Sequence, residues 1–207
     1  MLLACAGGFL DAYTYVSRDH VFANSQTGNL VLFGVGVASG AWREALRHVW
    51  PILAFVLGVL CAELLQAPRV ARVILRPARA SIALEILVLA IVGALPAAAP
   101  DLVVTVLVSF VSSVQVSTFR TLVKWPYSTT MTTGNLRTAT QAHARFLLHR
   151  APEAAAQARA FGVVIASFLS GAVLGSVVTG RLGGHAAWVV AGILCLTPVL
   201  FVLDERG

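Results

Sequence analysis

Apolar residues along this chain come in long unbroken runs, not in the alternation of a half-buried strand. The runs cover residues 2–16, 49–65, 81–95, 102–119, 160–180 and 185–203. Each is long enough to read as a helix, and clusters of arginine and proline separate them. Two polar stretches break this pattern: Asn24-Ser25-Gln26-Thr27-Gly28-Asn29-Leu30 and Thr130-Met131-Thr132-Thr133-Gly134-Asn135-Leu136. Both carry Thr-Gly-Asn-Leu. Backbone in lipid must satisfy its own hydrogen bonds, so irregular polar backbone survives there only inside protein or beside water. The pattern predicts that the two stretches break or start helices within a membrane bundle and line one shared cavity.

Composition sharpens the class. Of 207 residues, 58% are hydrophobic and 12% charged, and the mean hydropathy is +0.84. Soluble domains carry about 25% charged residues, so too few polar side chains are present to coat a soluble surface. The reading is an all-α polytopic membrane protein with a single transmembrane domain over 1–207. The net charge of +6 does not point to nucleic acid, because no basic platform is interleaved with aromatics. The arginines lie between apolar runs, as in cytoplasmic loops. Cys5, Cys61 and Cys195 lie inside runs without metal or redox spacing and read as small hydrophobes. Leu2-Leu3-Ala4-Cys5 has the look of a lipoprotein box. No basic segment precedes it and the apolar run continues, so it reads as the first span. That run is shorter than the roughly 20 residues a span needs. Either a start further upstream or a short, partly buried helix is expected.

Inside this frame the two halves match. Gly8-Phe9-Leu10-Asp11 precedes the first polar stretch and Ser112-Ser113-Val114-Gln115 the second. Ala54, Gly58 and Ala62 follow the first, and Ser167, Gly171 and Gly175 the second, at the spacing that lets helix backbones approach closely. The expectation is a duplication, with repeat one over 1–100 and repeat two over 101–207. The piece 30–41 is half a crossing, and 137–150 is too polar for a lipid-facing span. If both segments dip in and return, the chain has six spans plus two re-entrant segments, arranged as two inverted three-span repeats. Arg18, Arg43, Arg47 and Arg181 then face one side and the other eleven Lys/Arg the opposite side. If both cross, there are eight spans in parallel repeats, and the split is eight against six with Arg137 excluded. Charge asymmetry favours the first arrangement and puts both termini in the cytoplasm. Interrupted helices in inverted repeats characterise many secondary transporters. Pro51 is expected in the first turn of its helix, where proline is tolerated. Arg69, Arg72, Arg76 and Arg79 are expected in a loop between Pro68 and Pro77.

Gly8-Phe9-Leu10-Asp11-Ala12, Phe22-Ala23-Asn24 with Thr27-Gly28-Asn29, and Thr132-Thr133-Gly134-Asn135-Leu136 together resemble the YoaK-like family. These are bacterial membrane proteins defined as a domain of unknown function, and the resemblance spans nearly the whole chain. Relatives often carry Gly-x-Gln-Asn late in the fourth run. Here the segment is Ser113-Val114-Gln115-Val116, so only Gln115 matches. The resemblance implies a small polytopic protein of the bacterial inner membrane and carries no activity with it.

The candidate chemistry centres on the repeated stretch. Thr27 and Thr133 are expected to cap the helices that follow. Gly28 and Gly134 permit unusual dihedrals or close ligand approach. Asn29 and Asn135 offer both donor and acceptor. Two helix N-termini meeting from opposite sides would attract a polar or anionic group. Together with Asn24, Gln115 and Arg137, these residues form the expected substrate-binding set. The competing reading is that Thr and Asn only satisfy a helix break. Asp11 is the acid well inside run one, where a carboxylate costs about 2.5–3.5 kcal/mol on insertion scales. It is the expected coupling residue, with a static pair to Arg18 or Arg137 as the alternative. Its counterpart Gln115 is polar but cannot titrate. Glu63 and Glu85 are expected to snorkel or to pair with loop arginines. His20, His48, His143, His149 and His185 lack metal-ligand spacing, and neither metal nor cofactor is expected. Tyr13, Tyr15, Trp42, Trp50, Trp125, Tyr127 and Trp188 read as interface anchors.

The functional expectation is a small secondary transporter or facilitator of a small polar or anionic solute, with proton coupling as an option. A lipid-modifying enzyme lacks clustered acids, a metal constellation or a nucleophile–base pair. That enzyme and a non-transporting scaffold or regulator are the alternatives, and a scaffold would have no use for polar re-entrant segments. A homodimer is compatible, since a chain this short makes a thin wall around a cavity.

Overall fold

A computed structural model of the chain describes residues 1–71, 76–96 and 98–204. Nine helices are described: α1 (Leu2–Ser17), α2 (Gln26–Ala38), α3 (Trp42–Gln66), α4 (Pro68–Ala71), α5 (Pro77–Ala94), α6 (Asp101–Thr118), α7 (Thr132–His149), α8 (Pro152–Leu182) and α9 (Ala186–Asp204). A short hairpin pairs Thr121–Leu122 with Trp125–Pro126 between α6 and α7. Four described stretches are long and apolar enough to cross a membrane: Trp42–Gln66, Pro77–Ala94, Asp101–Thr118 and Pro152–Thr197. The last runs through the 3-10 turn Gly183–His185 that separates α8 from α9. The protein is thus a helical membrane protein.

Local chemistry explains the boundaries. Pro77 and Pro152 occupy the first turns of α5 and α8, where a missing N–H costs nothing. Gly183 ends α8 at φ 56°, a conformation that strains a side chain. Pro51 departs from expectation. It lies inside α3, because the polar turns carrying Arg43, Arg47 and His48 are helical as well. The helix extends past its apolar run, so hydropathy alone placed its start too late. Arg79 likewise belongs to α5 and not to a loop. Arg72 lies outside the described residues.

Packing follows the small residues. α1 lies along α8, and α3 along α6; α2 rests on α3, and α7 on α8. α5 packs on α9 and α6, and α9 also on α1. A Cβ at Gly8 would collide with the Phe168 carbonyl, and one at Gly171 with the Cys5 carbonyl. At Gly58 it would meet the Phe110 carbonyl and the Ser113 hydroxyl. The four-residue spacing of small side chains therefore becomes backbone-to-backbone approach at two seams, α1–α8 and α3–α6. Phe9, Leu10, Tyr13, Ile82, Leu89 and Leu194 fill the core.

Polar contacts mark two ends of the bundle. At one, the Arg18 guanidinium pairs with Asp101 at 3.0 Å and the Tyr13 hydroxyl donates to the Gly184 carbonyl at 3.2 Å. At the other, Arg120 pairs with Glu63 at 3.6 Å and Lys124 with Glu153 at 2.6 Å. Glu63 thus pairs with a loop-side arginine, as expected. Glu85 does not. It is fully buried, and neither carboxylate oxygen has a hydrogen-bond partner among the described residues. Glu85 shares the inner face of α5 with Ser81, Ile82 and Leu89. Two turns of helix separate it from Pro77, too far for the short stem of a glutamate to reach the surface.

Candidate functional site

α1 is the wall on which the site is built. After Ser17 the chain reverses through Asp19 and His20, both at positive φ. It then runs back along α1. The Asn24 amide Nδ2 donates to the Gly7 carbonyl at 3.2 Å, and the Asn24 backbone N–H donates to Asp11 Oδ1 at 2.7 Å. Gly7 precedes the end of α1 at Ser17 by ten residues, a descent of about 15 Å at 1.5 Å per residue. From there α2 climbs back, and Gly36 near its end rests against Ala45 in α3. The second polar stretch reaches the same point. A Cβ at Gly7 would stand 2.7 Å from the Thr130 methyl and 3.4 Å from the Thr129 carbonyl. Both stretches therefore meet on α1 at Gly7.

The asparagines of the repeated tetrapeptide do the same thing twice. The Phe22 N–H donates to Asn29 Oδ1 at 3.1 Å, and Asn29 Nδ2 donates to the Phe22 carbonyl at 2.8 Å. The Ser128 N–H donates to Asn135 Oδ1 at 3.4 Å, and Asn135 Nδ2 donates to the Ser128 carbonyl at 2.6 Å. In each copy one buried amide satisfies both backbone groups of the residue seven positions earlier. This meets the demand that buried backbone be paired. Thr27 and Thr133 do not cap. The helices begin at Gln26 and Thr132, so each threonine is already the second helical residue, and neither helix has a side-chain cap. In the second copy the Ser128 hydroxyl instead accepts the Met131 N–H at 3.1 Å.

A cavity of about 360 Å³ opens at the α1–α8 seam. Asp11 and Tyr15 line it from α1, Phe22 and Ser25 from the first loop, Thr130 and Thr132 from the second. Phe168, Ala172 and Ser176 close it from α8. Asp11 is the charged side chain among these lining residues. It is 8% exposed and accepts backbone N–H at the N-terminus of α2, where the helix carries partial positive charge. Its partner is this backbone and not Arg18, which is held by Asp101. A second cavity, about 350 Å³, opens at the α3–α6 seam. Phe55, Val59, Glu63, Arg120, Ser128 and Met131 are among its walls.

The structure places the expected residues unevenly. Asp11 lines the first cavity and Asn24 is bonded to it. Asn29 and Asn135 are buried in their loop closures. Thr27, Thr133, Gly134 and Arg137 are exposed on α2 and α7, Gly28 faces the Phe22 ring, and Gln115 is buried in α6 with Nε2 unpartnered among the described residues. Ser25, Thr130 and Thr132 come from the quoted stretches but from positions just ahead of the tetrapeptide. The α8 wall was legible in retrospect. Phe168, Ala172 and Ser176 each follow one residue after Ser167, Gly171 and Gly175, so they flank the close-packing stripe on one helix face.

Residues 1–200 match the family described as "Protein of unknown function (DUF1275)". The "UPF0700 transmembrane protein YoaK" of Bacillus subtilis (strain 168) is 31% identical over 64 residues, which cover 31% of this chain and 28% of that protein. The matched segment thus spans less than a third of that relative's length. No solved structure matches the chain. With its helical membrane architecture and a family match over nearly its whole length, the chain belongs to the DUF1275 family of proteins of unknown function.

Proposed function

We propose that this protein is a small secondary transporter or facilitator of a small polar solute in the bacterial inner membrane, with proton coupling through Asp11. The observation that carries the proposal is the α1–α8 cavity, where Asp11 meets residues from both polar stretches. Its volume lies in the range of small-molecule sites, about 300–1,000 Å³. A carboxylate with no lining cation disfavours an anionic solute and favours a neutral or cationic one.

Two inverted three-span repeats, 1–100 and 101–207, with α2 and α7 as re-entrant segments, complete the reading. Support comes from the packing pairs. Exchanging α1, α2, α3 and α5 for α6, α7, α8 and α9 turns α1–α8 into α6–α3, α2–α3 into α7–α8, and α5–α6 into α9–α1. The two cavities obey the same exchange. Phe55, Val59 and Glu63 stand at the spacing of Phe168, Ala172 and Ser176, and Ser128 and Met131 precede Asn135 as Phe22 and Ser25 precede Asn29. Two seam cavities related by this exchange are compatible with alternating access between two repeats. Both termini then lie in the cytoplasm.

Coupling follows from the bond between Asp11 and the Asn24 N–H. Protonating Asp11 removes the charge that holds the start of α2, so proton binding and loop position are linked, and linkage is reciprocal. Asp11→Asn is expected to fold, to retain counterflow exchange and to lose concentrative uptake in proteoliposomes, with solutes first selected by thermal shift among amines, amino acids and polyols. Gradient-driven accumulation by Asp11→Asn with the parent's pH profile would falsify the coupling role.

A further inference from the structure

A cavity at the Arg18 end of the bundle shares no residue with the α1–α8 cavity. It has a volume of about 500 Å³ and lies between the loop after α1 and the first turns of α3 and α6. Arg18, Arg43 and Arg47 line it together with Asp19 and Asp101. The carboxylates answer two of the three guanidiniums: Arg18 pairs with Asp101 at 3.0 Å and Arg47 with Asp19 at 3.4 Å. Arg43 has no ion-pair partner among the described residues, which leaves one net positive charge. The Arg18 side chain is 7% exposed and its Nε–H has no acceptor among the described residues. An unsatisfied buried donor is costly and rare, and a charged one more so. The N-termini of α3 and α6 add partial positive charge at the same place. Apolar side chains complete the walls. Leu46, Trp50 and Leu102 line the cavity while each remains about half exposed, at 51%, 48% and 45%. Tryptophan at the edge of an apolar run marks the headgroup level of a bilayer, and guanidinium groups match the oxygens of a phosphate in both geometry and charge.

We propose that this cavity binds a phosphate-headed anionic amphiphile. The phosphate sits among Arg43, Arg47 and the free Arg18 Nε–H, and the acyl chain runs down over Leu46, Trp50 and Leu102. The shared chemistry with a free phosphate ester is the phosphate oxygens. What separates the two is the apolar wall, which a soluble ester would leave uncovered.

The purified full chain in detergent is titrated with phosphatidylglycerol and, separately, with phosphatidylethanolamine, and bound lipid is counted by native mass spectrometry. Glycerol phosphate is tested in parallel by thermal shift. Phosphatidylglycerol is expected to be retained at least fivefold more tightly than phosphatidylethanolamine. Arg43→Gln, an exposed change that leaves both ion pairs intact, is expected to remove most of that preference. Trp50→Ala should weaken lipid retention with little effect on any response to glycerol phosphate. Arg159→Gln, at the far end and outside this cavity, should change nothing. Equal retention by the parent and Arg43→Gln, or an equal loss in Arg159→Gln, would mean diffuse electrostatic attraction and overturn the site. Glycerol phosphate binding as tightly as the lipid would overturn the amphiphile assignment.

Discussion

At the scale of single residues, the two copies of Thr-Gly-Asn-Leu are chemically alike but sit differently. Asn29 and Asn135 close their loops with the same pair of backbone bonds. The glycines differ because of what precedes them. A Cβ at Gly28 would stand 2.9 Å from the Phe22 ring, and that ring stacks on Tyr15 at 4.9 Å. The matching position before Asn135 is Ser128, and at Gly134 nothing lies within 4 Å. Gly134→Ala should therefore raise stability by about 0.5–1 kcal/mol, the usual gain on replacing an unconstrained helical glycine. Gly28→Ala should lower it, since Phe22 must move away from Tyr15. Thermal unfolding of the two variants in one detergent compares them directly. Shifts of the same sign would contradict this account.

Among the elements, α2 and α7 matter most, because each starts at a polar loop that reaches Gly7 on α1. Ser25, just ahead of α2, and Thr132, the first residue of α7, face the cavity, and the tetrapeptides do not. In a background without Cys5, Cys61 and Cys195, Ser25→Cys and Thr132→Cys should react readily with a small aqueous thiol reagent. Asn29→Cys and Asn135→Cys should react slowly, and each should lose about 1–3 kcal/mol by stranding backbone groups. Fast reaction at both asparagine positions in a folded protein would reassign the cavity lining to the tetrapeptide itself. The seams set the geometry of these elements. At Gly8, Gly58 and Gly171 a backbone carbonyl occupies the space a side chain would need, which brings α1 onto α8 and α3 onto α6.

For the whole molecule, the inverted arrangement requires the two polar ends of the bundle to face opposite sides of the membrane. Leu182 lies at the Arg18–Asp101 end, beside the turn at Gly183–His185. Gln66 ends α3 shortly after Glu63, and Arg159 follows Glu153 in α8, so both belong to the Glu63–Arg120 end. In intact cells Leu182→Cys should label with an impermeant reagent, while Gln66→Cys and Arg159→Cys should be protected until the cells are permeabilised. Labelling of Gln66→Cys and Arg159→Cys from opposite sides would exclude the six-span arrangement.

The sequence by itself determined the class and the parts. Long apolar runs have no stable home in water, so the membrane and the helices were legible from hydropathy, as were the four-residue stripes of Gly and Ala that became the seams. The repeated polar stretches were also visible, because polar backbone inside an apolar chain needs a reason. The tertiary structure decided which atoms meet. Pro51 looked like a helix start, but α3 continues for turns beyond its apolar run, since helix propagation does not stop where lipid does. Glu85 looked like a residue for the edge, and packing on the inner face of α5 buried it without a partner among the described residues. For Asp11 the alternative reading was a pair with Arg18 or Arg137, yet the returning loop brought the Asn24 N–H to it. Each of these depends on contacts between residues far apart in the chain. Local pattern carries no information about such contacts, because it records what a residue prefers and not what the fold places beside it.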